Sequence, residues 1–522
     1  MADYDVIVVG GGNNGMAAAT LLAKNGLKVI DLEKNDRVGG LGSTFEFFKG
    51  YKHNVGAWAM MFTPKRIFEE FEMSKYGFEL ITPESFFCNY GTPGEKPFIM
   101  YNNPEKLMEH VQRDHGPEAV QGLMGLFKFF STFGAGMDAA LFNSPMSISA
   151  IMEVMPGTQA KDAMRKGFYG SMVDLMDEYF AKDKYHNIKG LLAAFSCDGC
   201  WNGPYSPTSA YSGSFHFSQA GVGNFAYLPK GGMISFTEAL RRNFEEKKGE
   251  VKLNTRVKKI LVEKGKAVGV ELENGERITS KIVVSNLDAY ATMIKLVGEE
   301  SLPEYFATMV KNIHYKNPFL QLFLTLKELP EFKGEYASFN EGQTRWCVSH
   351  LTSEDHIERS WDAVKYNRIP DDPPWLIGIH SMQDESFAPK GSHSCTVFGQ
   401  YFPVMAPKDQ IKGLLEKQAD MIIDNITKDA PNFKDSIIDK LVWSPFDYER
   451  VFENTNGDFD HGTFEVGQML DLRPVAGWSN YKTPVEGLYL CGAATHPGWG
   501  VTAINGYNSA TTILKDWAKQ SK

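Results

Sequence analysis

The sequence has few of the features that would set it apart from ordinary globular proteins. Its 522 residues include six cysteines, Cys88, Cys197, Cys200, Cys347, Cys395 and Cys491, scattered along the chain. So sparse a set excludes a disulfide scaffold and suits a reducing compartment. Cys197-Asp198-Gly199-Cys200 has C-x-x-C spacing but lies in an aromatic, Gly/Pro/Ser-rich stretch, and no second pair follows it. Neither a redox dithiol nor a zinc site is expected there. No run of 18 uncharged apolar residues occurs, so no membrane-spanning helix is expected. The nearest approach, 129–152, carries Asp138, Pro145, several serines and two glycines; contact with a membrane surface stays open. No Lys/Arg-rich block appears, and 54 basic against 64 acidic residues leave a net charge of −10, which speaks against nucleic acid as a partner. No basic-then-apolar leader precedes the first strand pattern, and the expectation is a cytoplasmic chain, compatible with peripheral membrane contact and with homo-oligomerisation. Repeats and low-complexity tracts are also missing.

What is present starts at once. Asp5-Val6-Ile7-Val8-Val9 runs into Gly10-Gly11-Gly12-Asn13-Asn14-Gly15. A helical pattern with Ala17, Ala18, Leu21 and Leu22 follows and stops at Gly26. A second apolar strand, 28–32, ends in Glu33. This is the strand–turn–helix–strand unit that holds a dinucleotide. Gly10 permits the tight turn, Gly12 lets the backbone approach a pyrophosphate, and Gly15 lets helix and strand pack closely. Asn14, inside the turn, belongs to the same candidate set. The helix start offers N–H groups and partial positive charge to phosphate. Glu33 stands where a carboxylate can accept hydrogen bonds from ribose hydroxyls, which disfavours a 2′-phosphate and hence NADP.

After Glu33 the chain reads Lys34-Asn35-Asp36-Arg37-Val38-Gly39-Gly40. With the first glycine motif, this resembles the FAD-binding amine-oxidase and phytoene-desaturase superfamily, whose second signature is an acid, a short polar run and Gly-Gly. The resemblance implies non-covalent FAD, with Lys34, Gly39 and Gly40 near it. Two departures bear on side-chain contacts to phosphate. Leu41 stands where the family often has Arg, and Asn54 replaces an acid in Gly50-Tyr51-Lys52-His53-Asn54-Val55-Gly56. No second glycine fingerprint is present, so a separately bound NAD is not expected.

The tail is more specific. Leu488-Tyr489-Leu490-Cys491-Gly492-Ala493-Ala494-Thr495-His496-Pro497-Gly498-Trp499-Gly500-Val501 resembles the C-terminal flavin motif of the phytoene desaturase and carotenoid isomerase-like family. It is nearest to the branch that includes pyridine nucleotide-disulphide oxidoreductase domain-containing protein 2. The resemblance covers essentially the whole chain, through Trp201-x-Gly203-Pro204, Lys230-Gly231-Gly232-Met233, Asp384-x-x-x-Ala388-Pro389, Gly457-x-x-x-His461-Gly462 and Leu472-Arg473-Pro474. It implies that Val257 lends its backbone to the adenine and that Gly492, Gly500 and Val501 border the flavin. A helix start near Gly500 and Val501 would aim N–H groups at the flavin C2 carbonyl. Ala493 occupies a position where amine oxidases usually carry an acid, which points to the carotenoid-type branch.

At this length two or more domains are expected. Three segments, 1–65, 228–290 and 457–522, read as one nucleotide-binding domain. Within it lie an amphipathic helix carrying Phe236, Leu240 and Phe244, and short strands at 250–253, 256–263, 266–271 and 281–285 with an Asn274-Gly275 hairpin turn. Two insertions, 66–227 and 291–456, read as a second domain. Residues 191–229 combine a single acid with Phe195, Trp201, Tyr205, Tyr211, Phe215, Phe217, Phe225 and Tyr227. These serve equally as core or as the wall of a cavity for an apolar ligand.

The expected fold class is α/β: a Rossmann-like FAD-binding domain of discontinuous segments with an inserted α+β substrate domain. The expected function is FAD-dependent oxidoreduction at a carbon–carbon bond, by desaturation, saturation or isomerisation, of an apolar, conjugated or isoprenoid substrate. Amine oxidase-like C–N oxidation, a non-redox flavin-dependent isomerase or hydratase, and a flavin-bearing interaction protein stay open as alternatives. A proton donor or acceptor can be required; His53, His216 and His496 are the candidates, and Arg473 is a candidate anchor for a carboxylate or a member of a salt bridge.

Overall fold

The computed structural model describes residues 2–520 apart from Phe62, 219–225 and Trp499; Phe225 and Trp499 of the motifs above therefore lie outside the described residues. The first strand, Tyr4–Val9, is central to a parallel sheet. The order is Leu488–Leu490, Arg277–Ser285, Tyr4–Val9, Val29–Leu32 and Glu250–Lys252. Both faces of this sheet are covered, which is why its strands read as continuous apolar runs rather than as alternations. On one face lie the helices Asn13–Lys24, Ile234–Glu246 and Ile504–Gln520, closing over Met16, Phe236, Leu240 and Ala510. On the other face Ile7, Val9, Ile30 and Leu32 meet an antiparallel meander of Val257–Glu263, Lys266–Leu272 and Arg277–Ser285. The expected short strand 281–285 is the inner half of that last, longer strand. Its outer end pairs with the meander and its inner end with Leu488–Leu490. Gly275 (φ 86°) makes the turn in between.

The second sheet also has seven strands, in the order Ile437–Trp443, Phe319–Leu326, His393–Gln400, Trp375–Gly378, Cys347–His350, Ser85–Asn89 and Phe98–Tyr101. All eight residues of Phe319–Leu326 are buried. A layer of helices flanks this sheet. The longest, Pro117–Leu141, includes part of the stretch nearest to a membrane segment, but Leu126, Phe130 and Phe133 are fully buried in the core. Among the described residues no helix is long and apolar enough to cross a membrane. The hairpin Thr44–Phe48/Tyr51–Asn54 is sequence-adjacent to the nucleotide fold yet rests on the second sheet, where the Ser394 hydroxyl donates to the Lys52 carbonyl.

Candidate functional site

The glycine turn is held by contacts that leave no room for a side chain. The Gly39 N–H donates to the Gly11 carbonyl at 2.9 Å, tying the second glycine pair to the first. A Cβ on Gly15 would stand 2.1 Å from the Gly10 carbonyl oxygen, and one on Gly12 would stand 2.6 Å from Asn286 Nδ2. Gly10 needs φ 99°, a region closed to most side chains. No side chain caps the start of helix Asn13–Lys24 and no acid sits in its first turn, so its N–H groups are left for an anion. Asn13 and Asn14 also join this turn to the tail. Asn13 Oδ1 accepts the Ala503 N–H at 3.3 Å and Asn14 Oδ1 the Gly506 N–H at 3.5 Å.

From this turn a cleft runs along Gly10, Glu33, Lys34, Val257 and Leu287. Glu33 is buried and accepts two backbone N–H groups, Gly11 at Oε2 and Asn35 at Oε1, both at 2.8 Å. Burial raises its pKa against the pull of those bonds. Lys34 pairs with Glu453 at 3.3 Å, and Glu453 with Arg256 at 2.8 Å. These three, with Asn286 and Asp288, complete the cleft; Arg256, Glu453, Asn286 and Asp288 carry no motif, which is why the sequence does not single them out. Glu33→Ala is expected to weaken FAD binding by about 1–3 kcal/mol, the range for losing a charged hydrogen-bond partner, measurable by flavin titration of the apoprotein.

Beneath the same turn Asp31 is fully buried, and neither carboxylate oxygen has a hydrogen-bond partner among the described residues. Burial first, and the Glu33 charge second, push its pKa well above the ordinary range. A raised folded pKa means that the neutral form fits the fold. Its contribution is complete below the ordinary carboxylate range and is lost as pH climbs through the raised value. Asp31→Val is therefore expected to stabilise by about 1–3 kcal/mol, the cost of an unsatisfied buried polar group. The gain should grow with pH, read as the denaturation midpoint at acid and alkaline pH.

The cleft opens past Gly40 and His461 into a chamber enclosing about 1330 Å³ of non-atom space, solvent at its mouth included. Residues 56–61, centred on Trp58, form one wall. Phe87, Phe195, Leu351, Leu376 and Phe398 line the chamber as well, together with Ala493, Gly500 and Val501. The inserted segments thus supply part of the lining, while residues 56–61 and Thr63, within the 1–65 segment, supply much of the rest. Of the aromatic run, Phe195 lines the chamber. Tyr211, Phe215 and Phe217 are core, and Tyr205 is exposed. The helix expected from Gly500 begins only at Ile504. Gly500 and Val501 lie in the loop before it, where the Val501 carbonyl accepts the Thr63 hydroxyl at 2.7 Å. Gly492 lines neither space; a Cβ there would stand 2.3 Å from the Asn286 carbonyl oxygen, so it serves close backbone packing.

Of the three candidate histidines only His216 reaches the chamber. His53 sits among Phe47, Phe48 and Phe323, with Nε2 at 3.0 Å from the Leu324 carbonyl. His496 Nε2 is 2.9 Å from the Ala140 carbonyl. Burial holds both near pKa 4, so they are neutral structural donors rather than chamber groups. Among the described residues Arg473 pairs with no carboxylate, and it does not line the chamber. Buried, it donates to the carbonyls of Ala493 (2.9 Å), Gly462 (3.1 Å), Gln468 (3.0 Å) and Asp460. Instead the chamber gains Asp198, Asp460 and His461, none of which stood among the sequence candidates. Asp198 is the single acid of the aromatic run, and that isolation was the signal available for it.

A parallel sheet with an uncapped helix at a glycine turn, a buried acid at the second strand's end and a chamber beyond define a flavin-dependent oxidoreductase. Residues 15–512 match the flavin containing amine oxidoreductase family, and the chain belongs to it. Its cofactor is FAD, and the residues fit: the cradle at Gly12 excludes a Cβ and the helix start is open to phosphate. The chain is 26% identical to pyridine nucleotide-disulfide oxidoreductase domain-containing protein 2 of Rattus norvegicus, covering 98% of this chain and 94% of that one. It is 26% identical to the chloroplastic prolycopene isomerase of Daucus carota, covering 100% and 81%. In fold it resembles putrescine oxidase bound to putrescine, with TM-score 0.61, 12% identity and 99% of each chain covered.

Proposed function

We propose that the protein desaturates, saturates or isomerises a carbon–carbon bond of an apolar, isoprenoid-type molecule held in this chamber. The observation that carries this reading is the wall itself. Aromatic, aliphatic and glycine residues make up most of it, and among the described residues Asp198 and Asp460 are its only carboxyls. Such a lining rewards an apolar ligand and excludes water from the reacting face. The similarity to a prolycopene isomerase agrees with it, as does Ala493 in place of an acid. When bound, FAD supplies the hydride acceptor and donor. The protein's part is to bind and orient. The apolar lining that includes Trp58 and Phe195 would hold the substrate, and the turn at Gly12 with the cleft at Glu33 would hold the cofactor. An organic extract of the purified protein, analysed by mass spectrometry, should contain an apolar isoprenoid. A polar amine in its place would favour C–N oxidation.

A further inference from the structure

We propose that Asp198 is the proton-exchanging group of the chamber, with His216 as its positioning residue. Asp198 follows the helix His186–Ser196, and His216 lies on the helix Ala210–Ser218. His216 Nδ1 is 2.8 Å from the Ser212 carbonyl and must be the protonated nitrogen to donate to it. That tautomer presents the Nε2 lone pair, which stands 3.8 Å from Asp198 Oδ2. Both residues line the chamber. A quarter of the Asp198 side-chain surface is open, the residue lines the chamber, and burial pushes its pKa up to about 7. Burial holds His216 at about 3, so the imidazole is neutral and able to accept.

The other ionisable groups facing Asp198 are Cys197 and Cys200 on its own loop and Asp460 from the loop after Gly457. Burial pushes both thiols up, so they stay uncharged. Asp460 is fully buried. Its Oδ2 accepts from Asn317 Nδ2 at 3.2 Å, and its Oδ1 has no partner among the described residues. Burial first, then the Asp458 and Asp198 charges, push the Asp460 carboxyl well above the usual carboxylate range. Burial thus places the charge change of Asp198 near neutrality, where proton exchange is most effective.

The step given to Asp198 is proton transfer alone. One substrate C–H bond breaks and an O–H bond forms on Asp198. The electron pair of that bond stays on the substrate, and bound FAD would supply the two-electron acceptor that desaturation needs. In saturation the proton returns to carbon. This assignment rests on a substrate-binding chamber, but its test needs no substrate, so its failure and that of the proposed function are distinguishable.

Infrared difference spectra of the holoprotein between about pH 5 and 9, spanning a neutral pKa, should show a carboxylic-acid carbonyl band that disappears as pH rises. One component of that band should vanish in Asp198→Asn. It should persist in Asp458→Asn, which removes the other acid placed near 7. His216→Gln should shift its midpoint without changing flavin content. If Asp198→Asn fails to fold, Asp198→Glu should keep a titrating band at a displaced position. A titration in either Asp198 variant indistinguishable from wild type would overturn the proposal. So would octylammonium perturbing the flavin spectrum of wild type but not of Asp198→Asn, since Asp198 would then be a cation-binding carboxylate.

Discussion

Gly12→Val should yield a folded protein that purifies colourless. The first atom added at position 12 already stands 2.6 Å from Asn286 Nδ2, with Gly40 Cα at 4.0 Å on another side. That atom ends a flexible side chain and can swing aside, although the Asn286 backbone is held by its N–H donating to the Val9 carbonyl at 2.9 Å. Relieving such a contact costs about 1–3 kcal/mol in a packed interior. The two branched methyls of valine then fill the space between the turn and the helix start, where phosphate must approach the N–H groups. The protein-side cost is small against the stability of a two-sheet fold, whereas the loss of phosphate approach falls entirely on the cofactor. Flavin absorbance per protein, with circular dichroism to confirm the fold, reads both effects. A yellow variant of normal flavin content would remove the glycine turn from the FAD site.

Arg473→Leu should be the most damaging single substitution outside the glycine turn. The guanidinium satisfies four carbonyls, three in the loop 460–468 and one at Ala493 in the tail motif. It is also the positive charge nearest the buried Asp458 and Asp460. Leucine leaves those acceptors unpaired in a place water does not reach, and each buried unsatisfied group costs about 1–3 kcal/mol. Arg473→Lys should recover little, because a single ammonium cannot span carbonyls that a planar fork reaches. Denaturant midpoints give the loss, and Arg473→Leu combined with Asp460→Asn should recover part of it. A midpoint unchanged in Arg473→Leu would show that the loop and tail are held by packing alone.

What was legible in the sequence was mostly local. Gly10, Gly12 and Gly15 announce themselves because a turn, a close approach and a helix–strand contact each demand the absence of a Cβ. Phe236, Leu240 and Phe244 mark a helix because burial on one face imposes their spacing. The Arg277–Ser285 strand was read short because its outer half alternates in burial while its inner half is continuously buried, two patterns within one element. The histidines show where local reading stops. His53 and His496 lie in or beside family motifs, yet their rings turn to carbonyls at Leu324 and Ala140, and proximity in sequence to a motif says nothing of which way a ring points. Asp198 and His216 share one aromatic run, but Asp460 comes from a distant stretch, and only packing brings the loop after Gly457 to the same chamber.

Adding squalene in detergent micelles to the FAD-loaded protein, with the flavin absorbance followed through the titration, tests the apolar chamber at the flavin face most directly. The account predicts a saturable perturbation of the flavin bands by squalene and none by hexylamine at the same concentrations. A flavin spectrum indifferent to squalene but perturbed by hexylamine would contradict it.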